Sequence, residues 1–266
     1  MLARTSFGLL HYDLVGPEDA PIVCMLHSLT SDSGMWTDQL PALLSSGFQI
    51  LRLDMRGHGG SQAPIGAYRI EDLAADVIVI LDRLEIDSVH LVGLSIGGMI
   101  GQALAADRPD RIKSLVACAT TSKWTGDTDM MRGRLALVEA SGSLDGIVDD
   151  AMQQRYSPAV REQRPSRWLA LRDTFLGTSI HGYIGCMHAV LEHDVSNRLD
   201  KVRAPTLVVS GSQDPVTPPA AGRAIAESVD GAVYEEIAGG RHLLNVEFAE
   251  RFNRLLLEWL SHRTTS

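Results

Sequence analysis

Ser88-Val89-His90-Leu91-Val92-Gly93-Leu94-Ser95-Ile96-Gly97-Gly98-Met99 is the stretch that decides the fold. Residues 88–94 are a largely continuous apolar run, which predicts a short strand buried on both faces. Residues 96–106 read as a helix. The G-x-S-x-G between them puts Ser95 on a sharp strand-to-helix turn, where it takes a strained backbone conformation and needs small neighbours at Gly93 and Gly97. Such a turn lifts the hydroxyl above the sheet beside the helix's N-terminal amides, where charge developing on a carbonyl oxygen is stabilised.

Working outward, residues 21–26, 48–53, 112–117 and 205–210 are further runs rich in Val, Ile and Leu. Helical patterns lie between them, the clearest at 71–85, where Leu73, Val77, Leu81 and Leu84 form one apolar stripe. This alternation predicts an α/β fold with a mostly parallel, doubly wound sheet. It stops after Thr121 and resumes near Arg203. The stretch between is helical in pattern, with Trp124, Met130, Met131, Trp168, Tyr183 and Met187 scattered through it, and reads as a helical cap inserted in the core. The expected organisation is a core of residues 1–121 and 203–266 with a cap at 122–202. Thr217 before Pro218 looks like a helix N-cap, 246–260 is a final amphipathic helix, and the polar tail 261–266 is expected to fray.

A chain of 266 residues suits one large core. Its net charge of -9, from 33 acidic against 24 basic side chains, repels phosphate backbones and excludes nucleic acid as a natural partner. Cys24, Cys118 and Cys186 lack the paired spacing of zinc or redox motifs and read as reduced, partly buried thiols. No basic region followed by an apolar leader stands at residues 1–16, and no run reaches the ~18 apolar residues of a membrane span. A cytoplasmic enzyme acting on a small molecule is expected; a homo-oligomer stays open.

A serine hydroxyl needs a base, and on this kind of turn the chain order is serine, acid, histidine. Of nine histidines, four precede Ser95 and three lie in the expected cap. His262 sits in the tail, which leaves His242, in a glycine-rich loop before the last helix, as the base. The acid should lie at a strand's end between the two, and Asp214 follows the 205–210 run by a few residues. Asp200 and Asp230 are placed less well. The loop after residues 21–26 should supply the second half of an oxyanion hole, so the backbone amides of Leu29 and Ile96 form the expected pair. His27 reads as a residue that pins its loop, and residues 54–59 as a structural loop with glycine turns. No phosphate loop, zinc spacing or dinucleotide fingerprint is present, so neither metal nor cofactor is expected.

With these residues the chain resembles the α/β-hydrolases over nearly its whole length, and more closely the 3-oxoadipate enol-lactonases of aromatic catabolism. The likeness rests on residues 28–32 and 54–59, on Gly93-Leu94-Ser95-Ile96-Gly97-Gly98-Met99, on Gly182-Tyr183-Ile184-Gly185-Cys186 and on His242-Leu243-Leu244-Asn245-Val246-Glu247. It implies a serine hydrolase cleaving a carboxylic ester or lactone through an acyl-enzyme, with Ser28, Lys123 and Trp124 at the substrate; Lys123 reads equally as a point charge facing a substrate carboxylate or as a solvated cation. The chain departs from the enol-lactonase pattern at His27, Lys123 and Leu244, where asparagine, arginine and serine are usual. Two rivals stay open: a carbon-carbon bond hydrolase of ring-fission products with the same triad, and a ligand receptor on a hydrolase scaffold. Relatives that act on haloalkanes or epoxides use an aspartate where this chain has Ser95.

Overall fold

Because their side chains are apolar on both faces, the central strands are covered by helices on either side. A computed structural model of the chain describes residues 1–263. Its strands are β1 (Leu2–Arg4), β2 (Leu9–Val15), β3 (Ile22–Leu26), β4 (Gln49–Leu53), β5 (Val89–Leu94), β6 (Ile112–Cys118), β7 (Thr206–Gly211) and β8 (Val233–Ile237). They form one sheet in the order β1-β2-β4-β3-β5-β6-β7-β8. β2 runs antiparallel to both β1 and β4, and β4-β3-β5-β6-β7-β8 are parallel. The expected doubly wound α/β arrangement is therefore present, with an antiparallel edge that the sequence pattern did not reveal.

The helices are α1 (Leu40–Ser45), α2 (Ile70–Arg83), α3 (Ile96–Asp107), α4 (Thr128–Ser141), α5 (Asp145–Arg155), α6 (Pro158–Gln163), α7 (Pro165–Leu176), α8 (Ile180–Leu191), α9 (Pro219–Ser228), α10 (Leu244–Glu247) and α11 (Ala249–Ser261). Residues 96–106 of α3 are all buried, as befits a helix apolar all round. Helices α4 to α8 lie between β6 and β7. Among the described residues no helix is long and apolar enough to cross a membrane.

Two local expectations differ from the structure. The helix expected at 246–260 is broken at Phe248, whose φ of -118° and ψ of 45° leave the helical region. The Glu247 carboxylate there accepts the amides of Ser157 and Arg241, so α10 is a tether between the inserted helices and the loop carrying His242. Thr217 does not cap a helix; Pro218 is the cap residue of α9, and the Thr217 hydroxyl is engaged elsewhere. Of the tail expected to fray, Ser261 ends α11 and 264–266 lie outside the described residues.

The β5-to-α3 turn is packed so closely that glycine is a steric requirement. A Cβ on Gly93 would stand 2.2 Å from the Gly97 carbonyl oxygen, and one on Gly97 would stand 2.3 Å from the Leu26 carbonyl oxygen. Gly133 in α4 meets nothing within 4 Å. Gly97→Ala is expected to cost about 3 kcal/mol or more by urea unfolding, whereas Gly133→Ala should stabilise by roughly 0.5–1 kcal/mol. Similar midpoints for the two variants would contradict this packing.

Candidate active site

Ser95 sits at the C-terminal end of β5 with φ 58° and ψ -120°, a conformation that L-residues rarely adopt. It is held by its own amide donating to the Cys118 carbonyl at 2.9 Å and by the Thr120 hydroxyl donating to the Ser95 carbonyl at 2.8 Å. Thr30, after β3, and Ala119, after β6, also have positive φ. Three of the four non-glycine residues with positive φ among the described residues thus follow neighbouring strands at one end of the sheet; the fourth, Glu85, precedes β5.

Asp214 follows β7 and His242 follows β8, and the two loops are tied by backbone bonds from Gln213 to Gly240 and from Ser212 to Ile237. Gly211 approaches so near that an added Cβ would lie 2.4 Å from the Gly240 carbonyl oxygen. These constraints bring His242 Nδ1 to 2.8 Å from Asp214 Oδ2, with both side chains buried. Facing a carboxylate, Nδ1 must carry the proton, which leaves Nε2 as an acceptor. The remaining Asp214 lone pairs accept the amides of Val216 and Thr217 and the Thr217 hydroxyl at 2.7 Å. Burial alone would raise the Asp214 carboxyl, but His242 and these donors outweigh it and hold the carboxyl below its usual value. The Thr217 hydroxyl is a site feature that sequence reasoning missed, because a threonine before a proline also reads as a cap.

Two buried imidazoles brace the loops after β3 and β4 reciprocally. His27 Nε2 accepts the Met55 amide at 2.9 Å and its Nδ1 meets the Ser28 carbonyl at 2.8 Å. His58 Nε2 accepts the Thr30 amide at 3.0 Å and its Nδ1 meets the Arg56 carbonyl at 2.9 Å. An acceptor on one nitrogen and a donor on the other make both rings neutral. Burial lowers both, His58 to about 3 with nearby His27 adding to the effect. His27 thus pins its loop, and the Asp54 carboxylate, accepting the Ser33 and Gly60 amides, does the same for the next one. Between them the Leu29 amide donates to no acceptor among the described residues, and the Ile96 amide opens α3, where a helix lacks intrahelical acceptors.

Ser95, His242, Leu29 and Trp124 line one cavity of about 50 Å³. Much of its opposite wall comes from α4, α5, α7 and α8 through Met131, Ile147, Phe175 and Met187. Two expected substrate-binding residues do not line it. Lys123 pairs with Asp194 at 2.8 Å and is largely exposed, so its charge is already satisfied away from the cavity. Ser28 is fully buried, and its hydroxyl has no hydrogen-bond partner among the described residues. The wall contains instead Arg155 and Arg134, which the sequence did not single out: an arginine ending an amphipathic helix reads as a surface cation favoured by the helix dipole. Among the described residues no group of three or more His, Cys, Asp or Glu side chains is placed to hold a metal ion.

Residues 21–160 match a family model described as alpha/beta hydrolase fold. The chain is 34% identical to 3-oxoadipate enol-lactonase 2 of Acinetobacter baylyi over 92% of this chain and 90% of that one. It is 33% identical to a Variovorax paradoxus protein named "Putative carbamate hydrolase RutD", over 95% of this chain and 96% of that one. Among solved structures, the enol-lactonase from Burkholderia xenovorans LB400 superposes with a TM-score of 0.94 at 33% identity, covering 98% of this chain and all of that one (100%).

The neutral histidine pair has a consequence for stability. Unfolded histidines bind protons below about pH 6.5, while His58 stays neutral in the fold down to about 3. The unfolded state therefore holds more protons across that window, and stability falls as pH falls. His58→Gln is expected to lose stability at pH 7 but to show a shallower decline between pH 6 and pH 4, by up to about 1.4 kcal/mol per pH unit. Parallel urea-unfolding profiles for variant and wild type would contradict the assignment.

Proposed function

The chain belongs to the α/β-hydrolase fold family, and on that premise we propose that it is a serine hydrolase cleaving a carboxylic ester or lactone, with the enol-lactone of 3-oxoadipate as favoured substrate in the cytoplasmic breakdown of aromatic compounds. The observation that carries the reading is a strained Ser95 sharing a cavity with His242, whose Nδ1 is fixed by Asp214.

Ser95 Oγ attacks the carbonyl carbon as its proton passes to His242 Nε2. The oxyanion takes the amides of Leu29 and Ile96, and Asp214 stabilises the imidazolium. The carbon–oxygen bond then breaks and His242 returns the proton to the leaving oxygen, which in a lactone stays tethered to the acyl chain. A water molecule attacks the acyl-enzyme, gives a proton to Nε2, and Ser95 recovers it as the acid departs. Residues 122–202 act as the cap. Its helices form the roof over Ser95 and exclude bulk water from the acyl-enzyme. The carbamate hydrolase relative supports a second reading, attack by the same triad on a carbamate carbonyl.

The test is turnover on a panel of lactones, activated esters and carbamates. Ser95→Ala is expected to lower kcat by about 10⁴-fold or more and Asp214→Asn by roughly 10³–10⁴-fold, with melting temperatures close to that of wild type. Undiminished turnover by Ser95→Ala would end the reading, and the best substrate of the panel decides between lactone and carbamate.

A further inference from the structure

The cavity is electrostatically one-sided. Among the described residues two of its wall residues are arginines and none is Asp or Glu, in a protein whose net charge is -9; Asp214 stands behind His242 and is not part of the wall. Arg134 is neutralised by an ion pair with Asp150. Arg155, at the end of α5, forms no ion pair among the described residues. Among the described residues its side-chain partners are the Thr30 hydroxyl, which accepts from one Nη, and the Phe175 ring, 5.1 Å from the guanidinium carbon. A guanidinium has five N–H donors in a planar fork, so most of its donors, and its whole charge, are without a protein counterpart. A cation taken from water with neither carboxylate nor phosphate beside it is costly, and burial lowers this one to about 10, still charged at neutral pH. The Thr30 that it reaches belongs to the loop carrying the Leu29 amide, so Arg155 lies close to where the scissile carbonyl would bind.

We propose that Arg155 is the specificity-determining residue for a substrate carboxylate, gripping it through its free N–H fork while Ser95 attacks a carbonyl a few atoms away. The inference rests on the serine hydrolase reading and narrows its substrate class to short acyl groups that end in a carboxylate. A planar fork matches a carboxylate bidentately, which a lysine cannot do, and Phe175 holds the guanidinium through its ring face whether or not substrate is bound. The wall residues Met131, Ile147 and Met187 leave the rest of the acyl chain in apolar surroundings.

A matched pair of esters tests this: mono-4-nitrophenyl glutarate, which carries the carboxylate, and 4-nitrophenyl pentanoate, its neutral counterpart. Wild type is expected to favour the anionic ester by at least tenfold in kcat/KM. Arg155→Gln should lose thirtyfold or more on it, chiefly through KM, and less than threefold on the neutral one, with Arg155→Lys recovering part of the loss. An equal loss on both esters would make Arg155 a brace for the Thr30 loop and overturn the inference, as would an unchanged preference. Binding is read separately from chemistry by the rise in melting temperature with added glutarate, expected in wild type and absent in Arg155→Gln. No rise in an enzyme that hydrolyses the neutral ester would overturn the carboxylate site and leave the hydrolase reading standing. An Arg155-dependent rise in a protein that cleaves neither ester would keep the site and sink the hydrolase reading.

Discussion

One backbone conformation organises the molecule: Ser95 held at φ 58° in the turn between a fully buried strand and a helix buried along all but its last residue. A non-glycine residue so placed costs on the order of 1–3 kcal/mol. It persists because its amide and carbonyl are both engaged, by Cys118 and Thr120, and because Gly93, Gly97 and the Leu26 carbonyl pack too closely for the helix to rotate away. The parallel register of β3, β5 and β6 matters mainly because it brings Leu26, Gly93 and Ala117 to the same level, with Cys118 one step further toward Ser95. The strain is thus a property of the sheet, and it aims one hydroxyl into the space shared with His242.

Around that point, buried polar groups serve two different ends. His27 and His58 have their hydrogen bonds satisfied by loop backbone, and Asp54 by loop amides together with the His11 ring, so they fix the chain around the Leu29 amide. Arg155 keeps most of its donors unspent and faces the cavity. Fully satisfied buried groups rigidify a structure, whereas a charge left without a protein partner on a cavity wall has a cost that an anionic ligand would offset. The tether through Glu247 to the Ser157 and Arg241 amides joins the inserted helices to the His242 loop, so movement of the one bears on the position of the other.

The strands β3 to β7 were legible to within a residue or so, because strands buried on both faces are apolar without interruption. Ser95 was legible from a motif in its strand-to-helix context, and Asp214 and His242 from chain order together with their places after strand-like runs. β1 and β2 were not, since a short edge hairpin is only half-buried and its pattern is weak. The inserted helices could be recognised as a helical region but not placed one by one, because their apolar faces point partly into a cavity and partly at each other. Sequence alone leaves Lys123 between a substrate contact and a solvated cation, because its partner Asp194 is distant in sequence and their pairing depends on the bridge that the two residues form. Arg155 escaped notice because nothing in its local sequence distinguishes a helix-end cation in solvent from one turned inward beneath Phe175.

The central claim is that the fold makes Ser95 alone a nucleophile. Treating the native protein with diethyl 4-nitrophenyl phosphate and mapping the adduct by peptide mass spectrometry tests it most directly. A single diethylphosphoryl group on Ser95, formed by native enzyme and not by urea-unfolded chain, is the predicted result. Modification at another side chain with Ser95 untouched, or equal labelling of folded and unfolded protein, would contradict it.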